Sequence, residues 1–216
     1  RLIQLFQIYN NRQCLVILIN SCMSLLDSNA EGDLTQSMNS LRAKLFQYHL
    51  ELEDPDEAYH TMVLTSDPSL RVNCLRKFIV SHCEKEEWIN LLSYPFIDIK
   101  QDFIEILNQK AESLDLSSLD DNDFYRTSYY DLLFASHVMD EDYRRAAEIM
   151  FNYSQRLAQE VPGITSIRKQ TDCLLIALNS LRCVDEKERF IECVSRNIAC
   201  NGRTPMLKRS HDCESD

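Results

Sequence analysis

Three times in this chain a helical stretch ends at a histidine, enters a short acidic turn and resumes as a second helix. The first copy is Tyr48-His49-Leu50-Glu51-Leu52-Glu53-Asp54-Pro55-Asp56-Glu57-Ala58. The second is His82-Cys83-Glu84-Lys85-Glu86-Glu87-Trp88, and the third is His137-Val138-Met139-Asp140-Glu141-Asp142-Tyr143. In the first and third copies His49, Ala58 and Met62 match His137, Ala146 and Met150, with offsets of nine and thirteen residues in both. A single helical hairpin cannot bury its own apolar face, so such copies must stack on one another, and stacked hairpins present surfaces for other proteins. The histidines are 33 and then 55 residues apart, which does not fit a strict tetratricopeptide array. The expected fold is all-α, an irregular α-solenoid of stacked helical hairpins.

Composition excludes several alternatives. The 216 residues are enough for a sizeable core. Only three glycines occur, Gly32, Gly163 and Gly202, and none sits in the glycine-rich turn that a nucleotide-binding fold needs. Alternating strand patterns are scarce, and helix formers are abundant. The net charge of −11 repels phosphates, so no direct nucleic-acid binding is expected. Nine cysteines, an odd count without a CxxC pair, do not make a disulfide framework. Cys14, Cys74, Cys173 and Cys193 fall among apolar helical residues and read as small core side chains. The longest apolar run, 14–23, is broken by Asn20 and Ser21 and is too short to cross a bilayer. The chain opens at Arg1, in what reads as mid-helix, and is expected to be a piece of a longer protein.

Apolar stripes define the elements. Residues 12–27 read as an apolar helix. Leu34, Met38, Leu41, Leu45, Tyr48 and Leu52 mark the next at steps of three and four. Asp54-Pro55 and Asp67-Pro68 each place an aspartate N-cap before a proline at the first helical position. Leu70, Cys74, Leu75, Phe78, Ile79 and His82 form another stripe, followed by a short helix at 86–92 and one carrying Ile99, Phe103, Ile106 and Leu107. Residues 115–123, with four aspartates, read as an acidic loop or linker. It would separate a hairpin array at 1–114 from a continuing array at 124–200. Helices are expected at 124–138, 141–160, 164–182 and 185–199, with Pro162-Gly163 as a stop and 201–216 as a polar, disordered tail.

No catalytic constellation stands out. The chain has no HExxH, no P-loop and no GxGxxG. Cys200, His211 and Cys213 lack an evident fourth ligand, so neither a metal nor a cofactor is expected, and the chain is read as a non-enzyme. A histidine closing a helix can cap its last carbonyls and complement the dipole, which accounts for its recurrence without catalysis. The aromatic group Phe124, Tyr125, Tyr129, Tyr130 and Phe134 has helical spacing and reads as core rather than as a groove. The candidate partner-binding residues are Leu174, Leu178, Leu181, Phe190 and Val194, on the last two expected helices.

The run Tyr129-Tyr130-Asp131-Leu132-Leu133-Phe134-Ala135-Ser136-His137 resembles a motif of the nucleoporin 160 family. Asp142-Tyr143-Arg144-Arg145-Ala146, Met150-Phe151-Asn152-Tyr153 and Arg156-Leu157 continue the likeness. So do Gln170, Cys173 and Ala177-Leu178-Asn179-Ser180-Leu181-Arg182. Upstream, Asn73-Cys74-Leu75-Arg76-Lys77 and Leu92-Ser93-Tyr94-Pro95-Phe96 keep the family's order, and Lys208-Arg209-Ser210-His211-Asp212 is similar. After Arg182 the pattern departs: Val184-Asp185-Glu186-Lys187-Glu188-Arg189 stands where the family has an aromatic-rich segment. The resemblance implies a piece of the carboxy-terminal helical domain of a large arm subunit of the nuclear pore Y complex. It implies a scaffold at the nuclear envelope supporting messenger RNA export and protein transport, with other Y-complex nucleoporins as partners. It brings no catalytic residue and no cofactor. A helical-repeat adaptor of another assembly, such as a vesicle coat or a tetratricopeptide protein, is the alternative.

Overall fold

The computed structural model describes residues 11–27, 35–118 and 127–191. Among them the long elements are all helices: α1 (Arg12–Asp27), α2 (Thr35–Glu51), α3 (Pro55–Val63), α4 (Pro68–Glu84), α5 (Trp88–Ser93), α6 (Lys100–Ser113), α7 (Tyr129–Met139), α8 (Tyr143–Glu160) and α9 (Ile164–Arg182). Short 3-10 turns lie at Ile97–Ile99, Leu116–Ser118 and Glu186–Glu188. No strand occurs among the described residues. Packing runs along the chain. Helix α1 meets α2, α2 meets α3 and α4, α4 meets α5 and α6, α6 meets α7, α7 meets α8, and α8 meets α9. Neighbour-on-neighbour packing of this kind makes an all-α solenoid of helical hairpins.

Local chemistry sets the helix starts. Asp54 Oδ1 accepts from the Glu57 N–H at 3.4 Å, and Asp67 Oδ1 accepts from Ser69 and Leu70 at 2.8 and 3.1 Å, with proline at the first position each time. The helix expected at 124–138 instead begins at Tyr129, because Ser128 and Asp131 close a reciprocal capping box there. Phe124 and Tyr125 lie outside the described residues. A helix was also expected at 185–199. Within it the described part is a 3-10 turn, Glu186–Glu188, followed by non-helical residues to Ile191. The Arg189 guanidinium binds the Val184 and Arg182 carbonyls there and curls the backbone into a closed loop.

The three histidine turns share one geometry. The N–H groups of Asp54, Glu87 and Asp142 donate to the carbonyls of His49, His82 and His137 at 3.0, 2.9 and 2.9 Å. One residue earlier, Glu53, Glu86 and Glu141 donate to Leu50, Cys83 and Val138 at 3.2, 3.1 and 3.0 Å. Those glutamates have φ of 59, 59 and 60°, in the left-handed region. This nested pair of bonds is the Schellman helix ending, with glutamate where glycine is usual. The repeat is therefore a joint, closing one helix and releasing the next within three residues.

The main core is continuous from Phe46 to Ala177. It includes the repeat positions Ala58, Met62 and Met150, and the fourth, Ala146, is likewise buried. In its first half Tyr59, Phe78, Tyr94, Phe96 and Phe103 form an aromatic group, with Tyr59 stacked on Tyr94 at 4.9 Å and Phe96 on Phe103 at 4.4 Å. The Tyr59 hydroxyl donates to the Pro95 carbonyl at 2.6 Å, and the Tyr94 hydroxyl to Asp56 at 2.7 Å. In the second half Tyr130 and Tyr153 stack at 4.3 Å. Beside them the Arg156 guanidinium donates to the Ala111 and Leu114 carbonyls and to the Tyr130 hydroxyl at 2.8–2.9 Å, while Glu160 accepts from its other edge. Arg156 thus closes the end of α6 and ties it to α7 and α8. Leu116, in the acidic stretch, is fully buried in the same core. A smaller cluster of Leu15, Ile19, Leu45 and Tyr48 holds α1 to α2.

Candidate functional site

Helix α9 has two unlike faces. The inner one is small: Ser166, Cys173, Ala177 and Ser180 are buried. Ser166 Oγ reaches the Leu157 carbonyl at 3.3 Å, so the two helix backbones approach closely. Lys169 lies over the Tyr153 ring at 5.9 Å and reaches Asp131 at 3.9 Å, pinning this side to α7 and α8. The outer face is apolar and open. Ile164, Ile167, Leu174, Leu175 and Leu178 are all exposed, at steps of three and four broken only by Thr171. Gly163, at φ +133°, lets the chain turn out of the α8 end into α9.

The sequence-expected partner residues divide accordingly. Leu174 is 44% exposed, Leu178 49% and Phe190 48%. Leu181 is half-buried against the main core and faces inward. Val194 lies outside the described residues. Phe190 sits beneath the Arg144 guanidinium, 4.6 Å from its carbon, which places it beside the start of α8 rather than on the open stripe. Ile164, Ile167 and Leu175 complete the stripe, and all three fall within 164–181, the stretch whose exposed residues the sequence offers for partner contact. Their three- and four-residue spacing from Leu174 and Leu178 was the available signal. Tyr129, Tyr130 and Phe134 pack into the core, as their spacing predicted. Arg144 pairs with Glu148 at 3.5 Å, and Arg145 with Asp142 at 3.4 Å.

The three histidines are buried. Capping the last carbonyls does not explain all of them. Only His82 bonds a helix carbonyl, with Nδ1 3.0 Å from the Phe78 oxygen. His49 Nδ1 faces the Asp54 carboxylate at 4.0 Å. Burial pushes the pKa of His137 below the usual histidine range, against the pull of Asp142, so a charge on it does not serve the dipole. What the three share is a position one turn before the left-handed glutamate. Burial likewise raises the thiols, Cys74 to about 11 and Cys83 and Cys173 to about 12, so these cysteines are unreactive packing groups. Cys193, Cys200, His211 and Cys213 lie outside the described residues. Among the described residues no three His, Cys, Asp or Glu side chains converge on a metal position, and no helix is long and apolar enough to cross a membrane.

The sequence that folds into this stack is similar to known proteins. The model of the "NUP160/120 middle TPR" family matches residues 1–183. The chain is 32% identical over 183 residues to the human Nuclear pore complex protein Nup160 and 30% identical over 183 residues to the mouse protein, covering 85% of this chain in each case. It is 24% identical over 177 residues to Nucleoporin NUP120 of Chaetomium thermophilum, covering 74% of this chain. The chain spans only 12% of the length of the two mammalian relatives. These likenesses make the chain a member of the Nup160/Nup120 nucleoporin family, corresponding to its middle helical region.

Proposed function

We propose that this chain is a scaffold segment of the nuclear pore complex, at the nuclear envelope, and that it acts through helix-to-helix contacts with other Y-complex nucleoporins. Its family is a structural one, and we assign it no reaction. Messenger RNA export and protein transport would then depend on the chain indirectly, through the integrity of the ring. The observation that carries the reading is the outer face of α9, where Leu174 and Leu178 stand exposed on a helix already packed firmly on its other side. An open apolar stripe of this kind suits burial against a second amphipathic helix. Phe190 would extend the contact at the α8 end of the hairpin, and Val194 would follow it in sequence. Leu181 would support the stripe from below. The residues 115–123 would act as a joint between the two helical arrays, with Leu116 anchoring it to the core.

The test is co-purification from cells in which the parent protein carries Leu174→Asp and Leu178→Asp together. The reading expects recovery of the other Y-complex subunits to fall at least severalfold, with the thermal unfolding temperature of the chain unchanged. Unchanged recovery would refute the assignment of the α9 face. Recovery of vesicle-coat subunits in place of nucleoporins would refute the scaffold reading itself.

A further inference from the structure

The open face of α9 carries a seven-residue repeat. Ile164, Ile167, Thr171, Leu174, Leu178 and Leu181 alternate steps of three and four along the helix, the spacing of a coiled-coil seam. The helix is already seated on α8 through Ser166, Cys173, Ala177 and Ser180, so the seam is not what holds it in the stack.

The rows on either side of the seam differ. On one side Gln170 and Ala177 turn toward α8: Gln170 donates to Ser166 Oγ at 3.0 Å, and Ala177 is buried. On the other side Arg168, Leu175 and Arg182 follow at seven-residue steps, about two turns each, and form one row along the open edge. All three are exposed. Arg168 makes no hydrogen bond or ion pair among the described residues. The Arg182 guanidinium reaches the neutral Asn179 at 3.3 Å. Asp172 and Asp185, four and three residues further on, pair with neither arginine. An acidic chain, with net charge −11, thus borders its open apolar seam with two uncompensated positive charges.

A second copy of this chain fits the seam poorly. Antiparallel pairing about a two-fold axis sets each row against itself, so arginines would meet arginines. Parallel pairing sets the open row against the other one, and Gln170 and Ala177 are turned to α8 and carry no charge. We infer that the α9 seam receives one amphipathic helix of a partner protein, packed in coiled-coil fashion, whose own seam is bordered by carboxylates that meet Arg168 and Arg182. Charges in such rows select the partner and its direction more than they add affinity. The inference rests on the α9 face being the contact surface and specifies the helix that can occupy it.

The test titrates the 216-residue chain into two labelled synthetic helices and follows fluorescence anisotropy. Both helices carry leucine along a heptad seam; one has glutamate on both borders, the other lysine. Like charges keep each from pairing with itself. Measurement at physiological salt screens charges beyond about 8 Å. The glutamate helix is expected to bind saturably and at least about threefold tighter than the lysine helix, the size of a partly exposed ion pair. The net charge of −11 works in the opposite direction, so that preference reports the local row. Arg168→Glu together with Arg182→Glu should reverse it. Equal affinities, tighter binding of the lysine helix, or a preference that survives the charge reversal overturns the inference and leaves the α9 face standing. Binding of neither helix overturns both. A chain that sediments as a dimer, and as a monomer with Leu174→Asp and Leu178→Asp, gives the seam to a second copy and also overturns the inference. The two helices compared on the unmodified chain decide if the charge-reversed variant does not fold.

Discussion

Glu53, Glu86 and Glu141 sit at φ near 60°, where an L side chain crowds the next carbonyl. The conformation costs roughly 1–2 kcal/mol at each. Each is retained because two nested hydrogen bonds close the helix and the following residue starts another. Glu141 is exposed and makes no ion pair among the described residues, so its substitution isolates the backbone cost. Glu141→Gly is expected to raise stability by about 0.5–1 kcal/mol, the relief being partly offset by the freer unfolded glycine. A urea titration checks this, and a lowered midpoint would contradict it. His137 gives a pH signature. Its folded pKa is depressed by burial below the unfolded value. The unfolded chain therefore binds the extra proton first as pH falls. The contribution of His137 is complete above the ordinary histidine pKa of about 6.5 and declines as pH drops from there toward the folded value. Stability measured along that window should fall less steeply in His137→Gln than in the unmodified chain.

At the scale of elements, α9 shows how one helix serves two surroundings. Its buried face is Ser, Cys, Ala and Ser, which leaves no room against α8. Its open face is Ile and Leu. Substitutions on the two faces should therefore have opposite weight. Ala177→Leu overpacks the α8 contact and is expected to cost about 1–3 kcal/mol. Leu178→Asp, one residue further and exposed, should change stability by less than about 0.5 kcal/mol. Thermal unfolding of the two variants separates these expectations, and equal losses would mean that Leu178 is core. The sequence pattern alone put Leu181 in the same set as Leu178. Both lie on the apolar stripe by spacing, and only the seat of α8 turns Leu181 inward. The start of α7 was missed for a related reason. Aromatic spacing reached back to Phe124, while the Ser128–Asp131 capping box, legible as a local signal, sets the boundary.

For the whole molecule, stability in a stacked array is set by each helix and its neighbours. Helices α4 and α8 lie inside the main core, whereas α1 is held through the small Leu15, Ile19, Leu45 and Tyr48 cluster and an Arg12–Glu51 ion pair at 2.7 Å. Local opening should follow that division. Amides of α1 are expected to exchange hydrogen before those of α4 and α8, a hierarchy that exchange measured by mass spectrometry would reveal. Uniform protection would mean that the stack opens as one unit. Arg156 works at this scale too, since one guanidinium closes α6 and joins it to α7 and α8.

The amino-acid sequence by itself determined most of the helices and the family, though not the start of α7 or the non-helical run 189–191. Stripes at helical spacing, two Asp-Pro starts and three acidic joints are local properties, and local properties are written in neighbouring residues. It did not reveal that glutamates hold the left-handed positions, because with only three glycines the usual marker of such an ending is absent. Only the tertiary structure decided which apolar residues face water. Periodicity assigns a residue to a stripe, and whether another helix covers that stripe depends on contacts between residues far apart in the chain.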